Sequence, residues 1–565
     1  MKKRLPDLLA LFLAILAGFG NVSSIVFNYL KTPSGTQYLG TNSFYPPDYL
    51  FYLSYLVRGL KGHWQIFNPL SEDGKIGFWV IHWPYIIIGQ LSRLFSLSAP
   101  AGYWVGVFLL TCLIVFSAYI FLKLVFSAID KNYLVFPTLF VYLFAGPFLK
   151  VQQNPFKFEV WRINWYYQAD FFERISTIPH HLVSNWGVMI FFICSLTFFN
   201  SLKKENFLRS SFLAFFELAG SLLLVMSINP LKLTYLLPAL GISFLYGIFA
   251  NKRIRFASIL VHSFLLIFLG LILFLFGLYF QKNVALYNLF AEIAAWEKSI
   301  SRWPDLKNFI LGSGPVFVLA IPGLLIIGKQ IVKFSLPPSI IMGISASILS
   351  YALFFTRLAS LLGTHNARFL FPDAYLFMAI VIFLAIDSLI KGKSFKRTAI
   401  FLVTILIICF SAPTVYFVLK ARSSDHRDFE HAKSVYKYLP DEIVEGFQFL
   451  DRRSSDHPLV LTTTVSGMGM LVPVFTEARV YAYRSLSTID FPCKAKNCND
   501  FFTGVMSGWQ KINFLRQEKI DYLVISIYDF GSPEVNNLRH PYFISKDLPL
   551  ELIFINSQLA IYKVI

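Results

Sequence analysis

Charge is scarce in this chain. Asp, Glu, Lys and Arg together make up 15% of its 565 residues, while 56% are hydrophobic and the mean hydropathy is +0.59. Soluble domains carry about a quarter charged residues, so this composition excludes a water-soluble protein of this length and points to a polytopic membrane protein. Acids are the scarcer sign, with 32 Asp and Glu against 50 Lys and Arg and a formal net charge of +18. The basic excess reads either as the Lys/Arg bias of cytoplasmic loops or as provision for an anionic, phosphate-bearing ligand. The basic residues are spread among short loops and form no stripe, which excludes nucleic acid as a partner. Cysteine is also sparse, at five. Cys112, Cys194 and Cys409 lie in apolar runs and read as small packing residues. Cys493 and Cys498, in Cys-Lys-Ala-Lys-Asn-Cys, would suit a disulfide if that region is outside the cytoplasm. With no second Cys or His pair nearby, they are a weak metal signal. What is abundant is aromatic, with 61 Phe and 28 Tyr, as suits lipid-facing and interfacial positions.

Lys2, Lys3 and Arg4 precede an apolar run over 8–30 that no small-x-small cleavage site closes, so it reads as an uncleaved first span with the N-terminus inside. Loop 31–100 is then outside. Within it, 78–91 is apolar but interrupted by His82, Pro84 and Gly89, too short for the ~20 residues of a span, and reads as interfacial or re-entrant. Runs at 101–125, 133–150, 182–200, 211–228, 231–250, 256–281, 308–328, 336–356, 371–390 and 398–419 bring the total to about eleven spans. The short connections at 201–210, 251–255, 329–335 and 391–397 are basic, and all fall on the inside under this count. The longer loops 31–100, 151–181, 282–307 and 357–370 fall outside, with everything after 420. Past Lys420 the composition becomes that of a soluble domain. An amphipathic helix is expected over 440–451, with Ile443, Phe447 and Leu450 on one face, and buried strands over 458–464, 520–526 and 552–556. The expected fold class is an all-α polytopic membrane domain over 1–420 plus a small extracytoplasmic α/β domain over 421–565. The tail shows no nucleotide-binding glycine loop and no Ser/His/Asp order.

Chemistry-bearing residues gather in the outside loops. Asp48, in Pro46-Pro47-Asp48-Tyr49, follows the first span and opens a helix-like stretch with Tyr52 and Tyr55 on one face. Partial desolvation would raise its pKa and suit a general base, and a carboxylate in that position would equally serve as a helix cap. Asp170-Phe-Phe-Glu173-Arg174 and Pro179-His180-His181 place two acids, an Arg and two His within a dozen residues. Arg174 with one His reads as a phosphate-binding pair, or the group as an interfacial cluster satisfied by water and headgroups. His365 and Arg368, in Gly363-Thr-His-Asn-Ala-Arg-Phe369, open another span, where Arg368 either snorkels or clamps a phosphate. Lys232 is a candidate of the same kind. Glu72 and Asp73 read first as a turn and only then as a candidate second acid; Asp170 and Glu173 are further candidates for that acid. No metal-ligand set is apparent.

Several of these features together resemble the GT-C glycosyltransferases, the polytopic family that includes protein O-mannosyltransferases and lipid A aminoarabinose transferases. Asp48 after the first span, Tyr52 four residues on, and Gly59-Leu-Lys-Gly-His-Trp64 resemble that family's first outside loop. His82-Trp-Pro84 followed by Ile-Ile-Ile-Gly-Gln90 resembles its second juxtamembrane segment. Arg174, the Pro179-His180-His181 run and Asn366-Ala-Arg368-Phe look like elements of bacterial members without an assigned substrate. The resemblance implies transfer of a sugar from a polyprenyl-phosphate carrier to an acceptor outside the membrane, with Asp48 as the catalytic acid of the family pattern. Arg174, His180 or His181, and Arg368 would stabilise the leaving phosphate. Many members carry Asp-Glu where this chain has Asp48-Tyr49, and members differ in metal dependence. Two other readings compete: a transporter or flippase of a lipid-linked or anionic substrate, which wants ionisable residues at mid-membrane and matched halves, and a non-catalytic envelope scaffold.

Overall fold

The computed structural model describes residues 4–565 apart from 42–45, 66–67, 71–79, 153–156, 164–169, 203, 205–206, 252–253, 284–294, 425–436, 454–456, 465, 486, 531–534 and 546. The chain forms two compact units, one of Met1–Val22, Gly106–Gln281 and Ala294–Lys420, the other of Ser23–Val105, Lys282–Ile293 and Ala421–Ile565. The tail after 420 thus shares its unit with the loop that follows the first apolar helix.

Apolar helices stand at all of the expected runs. Among the described residues, eight are long and apolar enough to cross a membrane: Leu5–Leu30, Ala99–Ser127, Pro179–Ser201, Leu208–Met226, Pro230–Ala250, Phe256–Tyr279, Leu306–Val332 and Lys393–Lys420. Asn132–Phe144, Pro338–Phe354 and Ala374–Leu389 are shorter. At 1.5 Å per residue these three span at most about 25 Å, less than the ~30 Å hydrocarbon layer.

In the first unit, Ala374–Leu389 is buried along most of its length and packs on Leu306–Val332, Pro338–Phe354 and Asn132–Phe144. The approach to Pro338–Phe354 depends on Gly343, where a Cβ would lie 1.8 Å from the Phe377 ring. Leu306–Val332 breaks at Gly314, whose φ of 77° is open to glycine at no cost. Pro315 follows and has no N–H to give the carbonyl of Leu311. That carbonyl accepts instead from the Phe148 N–H at 2.9 Å, and the Ser313 carbonyl accepts from the Tyr375 hydroxyl at 2.9 Å.

In the second unit, the first-loop helices Pro46–Leu60 and Trp83–Leu94 cross at two glycines. A Cβ on Gly59 would lie 2.3 Å from the Ile86 carbonyl, and one on Gly89 2.2 Å from the Leu56 carbonyl. Thr36–Tyr38 pairs antiparallel with Tyr438–Pro440. The tail holds a five-stranded sheet in the spatial order Arg479–Val480, Leu459–Leu461, Tyr522–Ser526, Leu559–Val564, Leu550–Ile555. The first three are parallel and the last two antiparallel to their neighbours. Leu459–Leu461 and Tyr522–Ser526 are covered on both faces, which is why they read as unbroken apolar runs. The third expected buried strand is corrected. Leu550–Ile555 is the sheet edge, and its side chains are exposed or half-buried. Asp441–Arg453 is the expected amphipathic helix, with Ile443, Phe447 and Leu450 buried. Cys493 and Cys498 are free thiols, five residues apart on Phe491–Phe502. That spacing turns them to different sides, Cys498 into the core and Cys493 to solvent.

Candidate active site

Two prolines at 46 and 47 suit the first turn of a helix, where an N–H has no partner to lose. They set Asp48 in the first turn of Pro46–Leu60. Its hydrogen bond goes not to an N–H of its own helix but to Arg484 of the tail, whose Nη2 pairs with Asp48 Oδ1. The Arg484 side chain is 17% exposed and that of Asp48 36%. Burial pushes the Asp48 pKa above its ordinary 3.8 and Arg484 pulls it back. The net direction is upward.

Below this pair lies an aromatic floor. The Arg484 guanidinium sits 5.1 Å from the Phe51 ring centroid. Tyr55 stacks on His82 at 4.7 Å and Tyr52 on Tyr85 at 5.1 Å. Burial, with Arg484 second, pushes the His82 pKa down to about 3, so its ring is neutral at physiological pH. Tyr49 turns the other way, buried beside Tyr103 and Trp104, with its hydroxyl donating to the Leu39 carbonyl at 2.7 Å.

The first unit holds the remaining described candidates. Arg174 is buried and spent on its surroundings. It donates to the carbonyls of Pro372 (3.0 Å), Tyr142 (2.8 Å) and Ala145 (3.4 Å), and its guanidinium lies 4.3 Å from the Tyr375 ring. Asp170 caps Phe171–Ile175 by accepting from the Glu173 N–H at 3.1 Å, and Glu173 is half-buried. Lys232 is buried and donates to Asn185 Oδ1 at 2.5 Å. Asp373, also buried, accepts from the Tyr142 hydroxyl at 2.7 Å and lies in charge range of Lys232 and Arg174. His180 and His181 open Pro179–Ser201 with their rings 4.4 Å apart, and His181 feels both Arg368 and Lys232.

Arg368 is held by Glu297. Its Nε donates to Oε2 at 3.0 Å and its Nη2 pairs with Oε1, a two-pronged contact to which the Thr364 hydroxyl adds a third bond. His365 is buried next to this pair, and its pKa is pushed down to about 3 by burial first and then by Arg368.

Among solved structures, the archaeal oligosaccharyltransferase AglB from Archaeoglobus fulgidus, in complex with an inhibitory peptide and a dolichol-phosphate, is similar at a TM-score of 0.50 and 13% identity. The match covers 93% of this chain and 70% of that one. The chain has the GT-C fold. ArnT from Cupriavidus metallidurans bound to undecaprenyl phosphate matches at a TM-score of 0.46 and 11% identity, over 99% of this chain and 98% of that one. No protein-family model and no curated protein sequence matches the chain.

Within this fold, the described candidates divide between the units. Asp48 and Tyr52 lie in the second, and Asp170, Glu173, Arg174, His180, His181, Lys232, His365 and Arg368 in the first. Glu72 and Asp73 lie outside the described residues. Tyr49 faces the core, so a second acid at that position would be buried among aromatic rings. Arg484, Glu297 and Asp373 were not singled out from the sequence. Arg484 is separated from Asp48 by most of the chain, and nothing in Ala478-Arg-Val-Tyr-Ala-Tyr-Arg484 marks it. Among the described residues no group of three or more His, Cys, Asp or Glu is placed to hold a metal ion.

Proposed function

We propose that this chain is a membrane glycosyltransferase that moves a sugar from a polyprenyl-phosphate carrier to an extracytoplasmic acceptor, with Asp48 as general base. The observation that carries the reading is Asp48 itself. It is a carboxylate at the head of the first-loop helix of a GT-C fold, partly desolvated and ion-paired with Arg484. Desolvation raises its pKa and strengthens it as a base relative to an ordinary aspartate, and Arg484 opposes that rise.

The reaction is a displacement at the anomeric carbon. Asp48 takes the proton of the acceptor, the acceptor atom bonds to the anomeric carbon, and the bond from that carbon to the phosphate oxygen breaks. Its electron pair leaves on the polyprenyl phosphate, and cationic side chains are assigned to the charge that develops there. Lys232 suits this role, since an ammonium has three donors and Asn185 takes one. His181 and Arg368 are assigned beside it, and Arg174, His180 and His365 support the same region. The domain reading remains a catalytic part over 1–420 and an extracytoplasmic α/β part over 421–565. Short basic connections argue for a cell-membrane protein with a cytoplasmic N-terminus.

The test uses the full chain in vesicles with a panel of undecaprenyl-phosphate-linked hexoses and pentoses, reading release of undecaprenyl phosphate. Asp48→Asn is expected to abolish release while leaving expression and insertion intact. Turnover by that variant at the wild-type rate sinks the assignment.

A further inference from the structure

The base proposed above comes from the first loop, but the group that touches it comes from the tail. Arg484 is not a loose surface arginine. Its Nη1 also donates to the Ser487 hydroxyl at 3.3 Å, and Phe51 lies beneath its guanidinium. The segment that carries it is fastened to the first loop at several points. The Val480 N–H donates to the Pro69 carbonyl at 2.9 Å, Asn68 Nδ2 to the Ser487 carbonyl at 2.5 Å, and the Thr488 hydroxyl to the Leu70 carbonyl at 2.8 Å. Thr488 Oγ1 in turn accepts from the Tyr483 N–H at 3.3 Å, next to Arg484 in the chain.

We infer that Arg484 is a positioning residue for the reaction: its guanidinium commits one oxygen of Asp48 and leaves the other to receive the acceptor's proton. This rests on the reading of Asp48 as the base. The groups that face the carboxylate are few. Among the described residues Tyr103, from Ala99–Ser127, lies in charge range of Asp48, while His82, in the turn Val80–His82, lies in range of Arg484. Met468–Phe475, which packs on the Asp48 helix, brings no titratable side chain. His82 is neutral, so among the described residues Arg484 is the one cation acting on Asp48. Two effects then oppose each other on one carboxylate, burial favouring its protonated form and Arg484 its anion. Without the guanidinium only burial remains. The carboxylate's pKa rises further, and the freed carboxylate turns. A purely structural ion pair would change stability without moving the pH dependence of turnover.

Two substitutions test this in the full-length protein, Arg484→Gln and Arg484→Lys. Turnover is read from pH 4 to 9 with the undecaprenyl-phosphate sugar panel. Protonation of Asp48 is read independently from carbodiimide labelling with glycinamide, quantified by peptide mass spectrometry over the same range. Arg484→Gln is expected to move the acid limb of kcat/KM and the labelling midpoint upward together, by about one unit or more. Its turnover at pH 7 is expected to fall roughly 10- to 100-fold. Arg484→Lys restores the labelling midpoint most of the way and the rate only in part, because an ammonium makes one contact where the fork holds a plane. An acid limb and labelling midpoint unmoved in Arg484→Gln overturn the inference. If Arg484→Gln fails to fold, Arg484→Lys with wild-type rate and profile overturns it. These outcomes differ from failure of the base assignment, which shows as turnover by Asp48→Asn.

Discussion

Removing Arg368 separates two roles that one side chain could hold. Its partner Glu297 keeps only 8% of its side chain exposed, and its oxygens are shared between Arg368 and Thr364. Arg368→Ala leaves that carboxylate with Thr364 alone. Breaking a buried ion pair from one side costs about 3–5 kcal/mol, and since the Arg368 side chain is 32% exposed and water can follow it, we expect roughly 2–3 kcal/mol here. Glu297→Gln in the same chain removes the stranded charge, so the double variant should recover most of that loss, which thermal unfolding in detergent measures across the four-membered cycle.

The pH dependence carries the same sign. Burial raises the Glu297 pKa, but Arg368 and Thr364 outweigh it and hold it below the ordinary 4.5. The stability from this pair is therefore complete above about pH 4.5 and is lost as pH falls through the lower folded value. If the double variant is as stable as wild type but releases no undecaprenyl phosphate, Arg368 serves the carrier as well as the fold. If it is stable and active, Arg368 is structural. Wild-type stability in Arg368→Ala alone would refute the buried-pair reasoning outright.

The crossing of the two first-loop helices is a second test. Gly89→Val must push Trp83–Leu94 away from the Leu56 carbonyl, and is expected to cut turnover more than it cuts expression, because the displaced partner is the Asp48 helix. His82 offers a third. Its folded pKa of about 3 lies below the ordinary 6.5, so an unfolded chain takes up a proton that the folded one refuses between those values. Stability is then full above about pH 6.5 and falls as pH drops toward 3. His82→Phe keeps a ring against Tyr55 and should flatten that slope in thermal unfolding measured at pH 7.5 and 5.

The helices were legible because each apolar run of membrane length has one stable outcome in lipid, and the runs read from sequence all carry helices. The buried strands 459–461 and 522–526 were legible for a similar reason, being covered on both faces. Leu550–Ile555 misled because an edge strand and a central one share an apolar run, and only pairing order tells them apart. Asp48 was legible through its local setting. Its partner was not, since an arginine distant in sequence gives no local signal. Glu297 and Asp373 stayed hidden likewise, because each acquires its meaning from a cation elsewhere in the chain.

The pairing of Tyr38 with Tyr438 has a consequence in time rather than in space. The two residues are 438 − 38 = 400 positions apart, so the ribosome must make the intervening membrane helices before this short ladder can close. At about 5–20 residues per second that delay is on the order of 20 to 80 s. Throughout it, the loop bearing Asp48 waits without Arg484. A nascent chain would thus carry the proposed base without the group that tunes it, and competence would arrive only once residue 484 has been made.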